Sequence, residues 1–140
     1  MYSLRLGTVM NPEKLLTAPP ETTVAAAAAL LATKNVGAVL VVDAGKLVGI
    51  FTERDAVHRV IAKGLDPRAT PIAEVMTRSP LTAGPNDTFG HALLVMFENG
   101  FRHMPVVENG APVGIVSARH ALDPDMEEFV SEAQRRQAFR

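Results

Sequence analysis

The 140-residue chain carries 14 Lys and Arg against 15 Asp and Glu, a formal charge of −1, and is 47% hydrophobic and 5% aromatic. That is enough apolar side chain for one compact domain, or two small ones sharing a core. The balanced charge and scarce rings argue against a nucleic-acid binder, and the lack of cysteine excludes a disulfide scaffold, a thiol nucleophile and cysteine-based metal sites.

Met1 to Pro12 lacks a basic end, an apolar block and a small-residue cleavage site, so no targeting signal is read there. The longest apolar runs, Val24–Ala32 and Val36–Val42, fall far short of the roughly 20 residues that span a bilayer. A soluble, cytoplasmic protein without membrane partners is expected. Thr22 or Thr23 caps a predicted helix whose apolar face is Val24, Ala27, Ala28 and Leu31. The β-branched run Val36–Val42, the turn Asp43-Ala44-Gly45-Lys46 and the run Leu47–Phe51 predict a hairpin. Thr52 then caps a helix from Glu53 to Lys63, with Gly64 as its stop. Leu65 to Glu74, with Pro67 and Pro71, reads as a connector.

The order then recurs. A helix carries Phe89, Ala92, Leu93 and Met96 on its apolar face. A hairpin follows, from Met104–Val107 through Glu108-Asn109-Gly110-Ala111 to Pro112–Val116. Ser117 caps a last helix that Asp123-Pro124 ends early. The tail from Asp125 to Arg140 predicts a further helix, with Glu127 and Glu128 early and Arg135 and Arg136 late, as the helix dipole favours. Its narrow stripe is Met126, Phe129, Val130 and Ala133.

The recurrence is a duplication. At an offset of 65 residues, Val41-Val42 falls on Val106-Val107, Gly45 on Gly110, Val48-Gly49-Ile50 on Val113-Gly114-Ile115, and Arg54 on Arg119. Val9-Met10 returns as Val75-Met76 with a one-residue slip. The expected boundaries are copy one over 1–64, the connector over 65–74, copy two over 75–122 and a C-terminal helix over 123–140. One unit cannot bury both its helix faces and its sheet face. The expected fold is therefore α+β, with two copies packed sheet to sheet about a pseudo-twofold axis.

Chemistry concentrates in Gly49-Ile50-Phe51-Thr52-Glu53-Arg54-Asp55. A strand ends, a hydroxyl caps the next helix and a carboxylate follows three residues later. Thr52 and Asp55 can close a capping box, or together hold a diol such as ribose. The matching stretch, Gly114 to His120, keeps the hydroxyl as Ser117 but replaces the carboxylate by His120. Arg102-His103 stands where copy one has Gly37-Ala38. That asymmetry suits a nucleotide across the seam, phosphate toward copy two, or else a solvated pair of side chains before a strand. His58, His91, His103 and His120 have no tight metal-ligand spacing, and no GxSxG, Walker loop or GxGxxG is present. No catalyst is specified.

With Val-Gly-Ile-Phe-Thr-Glu-Arg-Asp in copy one and Gly-Phe-Arg-His-Met-Pro-Val-Val in copy two, the chain from about Val9 to Leu122 resembles a tandem pair of cystathionine-β-synthase (CBS) domains. This is the Bateman module, here like the stand-alone bacterial-type proteins. The resemblance implies βαββα-type repeats and a non-enzymatic regulatory sensor of AMP, ADP, ATP or a related adenosyl ligand. No obligatory cofactor or metal, a homodimer and an effector protein are implied with it. Thr52 and Asp55 match the ribose contacts. Thr17 and Ala18, with Val36, Gly37 and Ala38, match the adenine cradle, which acts largely through backbone groups. Arg102, His103 and Arg119 match phosphate positions. His120 departs from the pattern, so one ligand per chain is expected. The alternative is an interaction protein with a vestigial site, working through dimerisation or its tail.

Overall fold

The computed structural model describes residues 2–122; the predicted C-terminal helix lies outside the described residues. The first half runs α1 (Leu6–Val9), a 3-10 turn (Pro12–Lys14), β1 (Thr17–Ala18), α2 (Val24–Lys34), β2 (Ala38–Asp43), β3 (Lys46–Thr52) and α3 (Glu53–Asp55), which continues as a π-type turn (Ala56–Ile61). After a 3-10 turn (Ile72–Glu74) come β4 (Thr77–Arg78), α4 (Phe89–Asn99), β5 (His103–Glu108), β6 (Ala111–Ser117) and a closing 3-10 turn (Ala118–Leu122).

The duplication is visible in the local chemistry. The Thr23 hydroxyl accepts from Ala26 N–H at 3.1 Å, the cap expected for α2, and the Thr88 hydroxyl accepts from His91 N–H at 3.2 Å at the matching place before α4. Both end in a left-handed residue, Asn35 (φ 54°) and Gly100 (φ 73°). Val36 N–H then returns to Leu31 O, and Phe101 N–H to Met96 O, each at 3.1 Å. Val24, Ala27 and Leu31 are buried as expected, whereas Ala28 is exposed. Both hairpins turn through two positive-φ residues, Ala44-Gly45 and Asn109-Gly110.

The first sheet has the order β1-β2-β3-β4, with β1 parallel to β2 and the other pairs antiparallel; β5 and β6 form the second sheet. A parallel bridge from Ala83 to Val106 repeats in copy two the β1–β2 relation of copy one. Both faces of the first sheet are covered. Val39, Val41 and Phe51 join the core beneath α2, while Ala38, Leu40 and Ile50 form a seam layer that meets Ile115 of the second sheet. The two copies thus pack sheet to sheet, as expected.

The leading segments of the two halves are exchanged. Leu4, Leu6 and Val9 pack into the core of copy two with Phe89, Met104 and Val116. Ile72, Val75 and Met76 pack into the core of copy one. A Cβ on Gly49 would run into the Met76 sulfur, and one on Gly114 into the Met10 sulfur. The two glycines therefore make room for the crossing segments. The seam is also fastened at the hairpin tips: Leu47 N–H donates to Gly110 O at 3.0 Å and Lys46 Nζ to Asn109 O at 2.6 Å. Pro112, which matches Leu47, has no N–H, so the fastening runs in one direction only.

Two helices differ from expectation. The segment over Glu53–Lys63 is α-helical only at its start, then widens, with Ala62 N–H bonded to Val57 O at 2.9 Å. Arg59 of this stretch donates to Val75 O and Met76 O at 3.2 and 3.1 Å, a tertiary anchor that local propensity does not register. Gly64 ends it with φ 70°, as expected. In copy two the helix after Ser117 is a 3-10 turn. Among the described residues no helix is long and apolar enough to cross a membrane.

Candidate functional site

The candidate site is built where β3 passes into α3. Thr52 is extended, φ −118° and ψ 165°, so its hydroxyl projects over the first helical turn. Asp55 N–H donates to Thr52 Oγ1 at 3.2 Å, and Thr52 N–H donates to Asp55 Oδ2 at 2.9 Å. The capping box that the residue spacing allowed is therefore formed. The Thr52 hydroxyl also lies 3.1 Å from Asp55 Oδ2, so hydroxyl and carboxylate stand side by side. Asp55 is buried, and its other oxygen faces Arg59 Nε at 3.5 Å.

Gly37 joins this turn through the backbone. Its carbonyl accepts from Glu53 N–H at 3.0 Å, and neighbouring Ala38 pairs with Thr52 across the ladder. Gly37, Ala38, Thr52, Glu53 and Asp55 thus form one wall. Val36 and Ala18 turn their side chains into the core of copy one, which leaves only their backbone groups for a ligand. Thr17 is exposed on β1, beside Leu40 rather than beside the capping turn.

Copy two faces that wall with His103. A Cβ on Gly37 would lie 2.9 Å from His103 Nε2 and 3.4 Å from Glu53 Oε1. Burial is the main influence on His103 and lowers its pKa below 6.5; Glu53 opposes this, while Arg119, His120 and Arg102 add to it. Charging a desolvated ring beside Arg119 and Arg102 is costly, so His103 resists becoming a cation at its ordinary pH. Arg102 and Arg119 are exposed.

The equivalent turn of copy two keeps the capping logic with different chemistry. Ser117 N–H donates to His120 Nδ1 at 3.3 Å, the part that Asp55 plays for Thr52. Arg119 N–H donates to the Ser117 hydroxyl at 3.1 Å. The acceptor here is a ring nitrogen rather than a carboxylate oxygen. Among the described residues no three His, Asp or Glu side chains gather in a way that would hold a metal ion. Sequence reasoning missed Glu53 and Arg59. The spacing of Asp55 and Arg59, i and i+4, was the available signal for the second.

These features define a class: a duplicated α+β module with exchanged lead segments and a capped turn at the seam between its halves. Two stretches, residues 6–62 and 72–126, match the family model for the CBS domain. The chain belongs to the CBS-domain family and carries two such domains in tandem. It is 40% identical over 110 residues to CBS domain-containing protein CBSCBSPB3 of Arabidopsis thaliana, a match covering 78% of this chain and 20% of that protein. The chain therefore spans about a fifth of that relative's length. A solved structure of a conserved protein from Pyrococcus horikoshii is similar over 96% of this chain and 95% of that one, with a TM-score of 0.77 at 32% identity. The CBS domain pair of protein MJ0100, solved with 5′-methylthioadenosine and S-adenosyl-L-methionine, is similar over 93% of this chain and 98% of that one, with a TM-score of 0.73 at 26% identity.

Proposed function

We propose that the chain is a regulatory sensor that takes an adenosyl ligand at the seam and transmits its occupancy to an effector protein. The observation that carries this reading is the 3.0 Å bond from Glu53 N–H to Gly37 O. It joins the hydroxyl–carboxylate turn to the bare backbone of Gly37, opposite His103 of the other copy. A ribose diol would meet Thr52 and Asp55, and an adenine would lie along the backbone of residues 36–38 and of Thr17 and Ala18. A phosphate would reach Arg102 and Arg119, with His103 beside them. AMP, ADP and ATP fit this scheme, and the ligands held by the MJ0100 pair support the adenosyl class. His120 lacks the carboxylate's two acceptor oxygens, so one strong ligand per chain is expected.

Val57, Ile61, Leu94 and Phe97 are exposed apolar side chains, 52 to 85% accessible, and they support a homodimer. The test is a thermal-shift panel over AMP, ADP, ATP, S-adenosylmethionine and methylthioadenosine, followed by calorimetry. A ligand that binds only the folded state raises the melting temperature by mass action. No shift with any adenosyl compound would remove this reading and favour an interaction protein with a vestigial site.

A further inference from the structure

The two copies differ at a place where they face each other across the seam. Ala38 of copy one and His103 of copy two occupy matching places, the first paired with Thr52 and the second with Ser117. Ala38 is buried in the seam layer with Leu40 and Ile50. His103 is far larger and lies across the seam on Gly37, where a Cβ would come within 2.9 Å of Nε2 and 3.2 Å of Cε1. The bare backbone at residue 37 is thus the seat of the imidazole. A side chain there would force the ring to shift.

We propose that His103 is an internal plug of the adenosyl cleft: its ring fills the space over Gly37 that a ligand seated at Thr52 and Asp55 would take, and binding turns the ring out. This rests on the adenosyl reading above. The wall on the copy-one side is fixed, because Gly37 O is bonded to Glu53 N–H and Thr52 is locked to Asp55 by reciprocal bonds. The imidazole is the movable member. It hangs from the first residue of β5 and has only two rotatable bonds. A pre-existing occupant lowers the apparent affinity of everything that must displace it.

The plug and the phosphate contact implied by family resemblance predict opposite signs. A phosphate ligand lost in His103→Ala weakens AMP and leaves adenosine alone. A plug removed tightens adenosine, which has no phosphate, as well as the nucleotide.

The experiment titrates adenosine into wild type, His103→Ala and His103→Ser by calorimetry at about pH 7.5, where the ring is neutral. Both truncations are expected to tighten adenosine at least fivefold. In parallel, the assigned His103 ring signals are followed by NMR in wild type as adenosine is added, and should move to a solvent-exposed environment at saturation. Unchanged or weaker adenosine binding in the truncations, with binding retained in wild type, overturns the plug and leaves the sensor standing. Failure of wild type and both variants to bind any adenosyl compound overturns both. Should the truncations not fold, the NMR arm decides: a ring that keeps its ligand-free environment at saturation overturns the proposal.

Discussion

Arg59 Nε stands 3.5 Å from Asp55 Oδ1, one helical turn away, while Asp55 Oδ2 accepts from Thr52 N–H at 2.9 Å. The buried carboxylate is thus shared between a helix cap and a half-exposed cation. An exposed partner contributes little through charge alone, so the ion pair mainly orients the carboxylate. The guanidinium meanwhile ties the turn to Val75 O and Met76 O of the crossing segment.

Asp55→Ala should therefore do two things. Thr52 keeps its own bond to the residue-55 N–H, but Thr52 N–H loses its acceptor, which costs about 0.5–1.5 kcal/mol. Loss of the proposed diol contact should weaken adenosyl binding at least tenfold, about 1.4 kcal/mol. Asp55→Asn keeps one oxygen for Thr52 N–H and should recover most of the melting temperature. It should not recover affinity, because that oxygen cannot serve cap and ribose together. Melting curves and calorimetry on both variants separate the roles; wild-type affinity in both removes Asp55 from the proposed site.

Ala44 adopts φ 50° in the first hairpin, the conformation that Asn109 (φ 54°) adopts in the second. A left-handed alanine costs about 1–2 kcal/mol, and asparagine tolerates this region better. Ala44→Asn should raise stability by about 1 kcal/mol, or a few degrees in the melting temperature for a domain of this size. Ligand affinity should not change. Denaturant titration checks the first; a variant no more stable than wild type would mean the turn relaxes its strain elsewhere.

What the sequence revealed and what it concealed divide along local and non-local lines. Caps at Thr23 and Thr52 and both hairpins were legible, because each depends on residues within one turn of each other. The exchange of Leu6 and Val9 into copy two was not, since the hydrophobic pattern of α1 suits either core. The widening after α3 was hidden because Arg59 finds its carbonyl partners sixteen and seventeen residues away. The Gly37–Ala38 and Arg102–His103 asymmetry was visible, but only the fold places His103 on Gly37.

Arg102 is exposed beside His103 and should act on charge rather than on packing. Arg102→Ala should weaken AMP several-fold and leave adenosine unchanged, because charge-assisted bonds to phosphate are about twice as strong as neutral ones. The ratio of AMP to adenosine affinity, in wild type and variant, is the measurement. An unchanged ratio would mean that no phosphate reaches Arg102.

The pH dependence follows from His103. Burial lowers its folded-state pKa, with Arg119, His120 and Arg102 acting in the same direction and Glu53 against them. The unfolded chain restores about 6.5. Between the two values the unfolded state binds more protons than the folded one, so stability rises with pH there. It is complete above about pH 6.5 and is lost as pH falls through the lowered value. The same sign carries to the ligand. A ring turned out to solvent regains its ordinary pKa, so binding takes up a proton in this window. Affinity for adenosine and AMP alike should then increase as pH drops below about 6.5. His103→Ala removes the proton-linked change, and its adenosine affinity should lose that dependence. If wild-type affinity for adenosine stays level from about pH 7.5 down to about pH 5.5 while the protein remains folded, His103 does not leave its seat on Gly37 on binding.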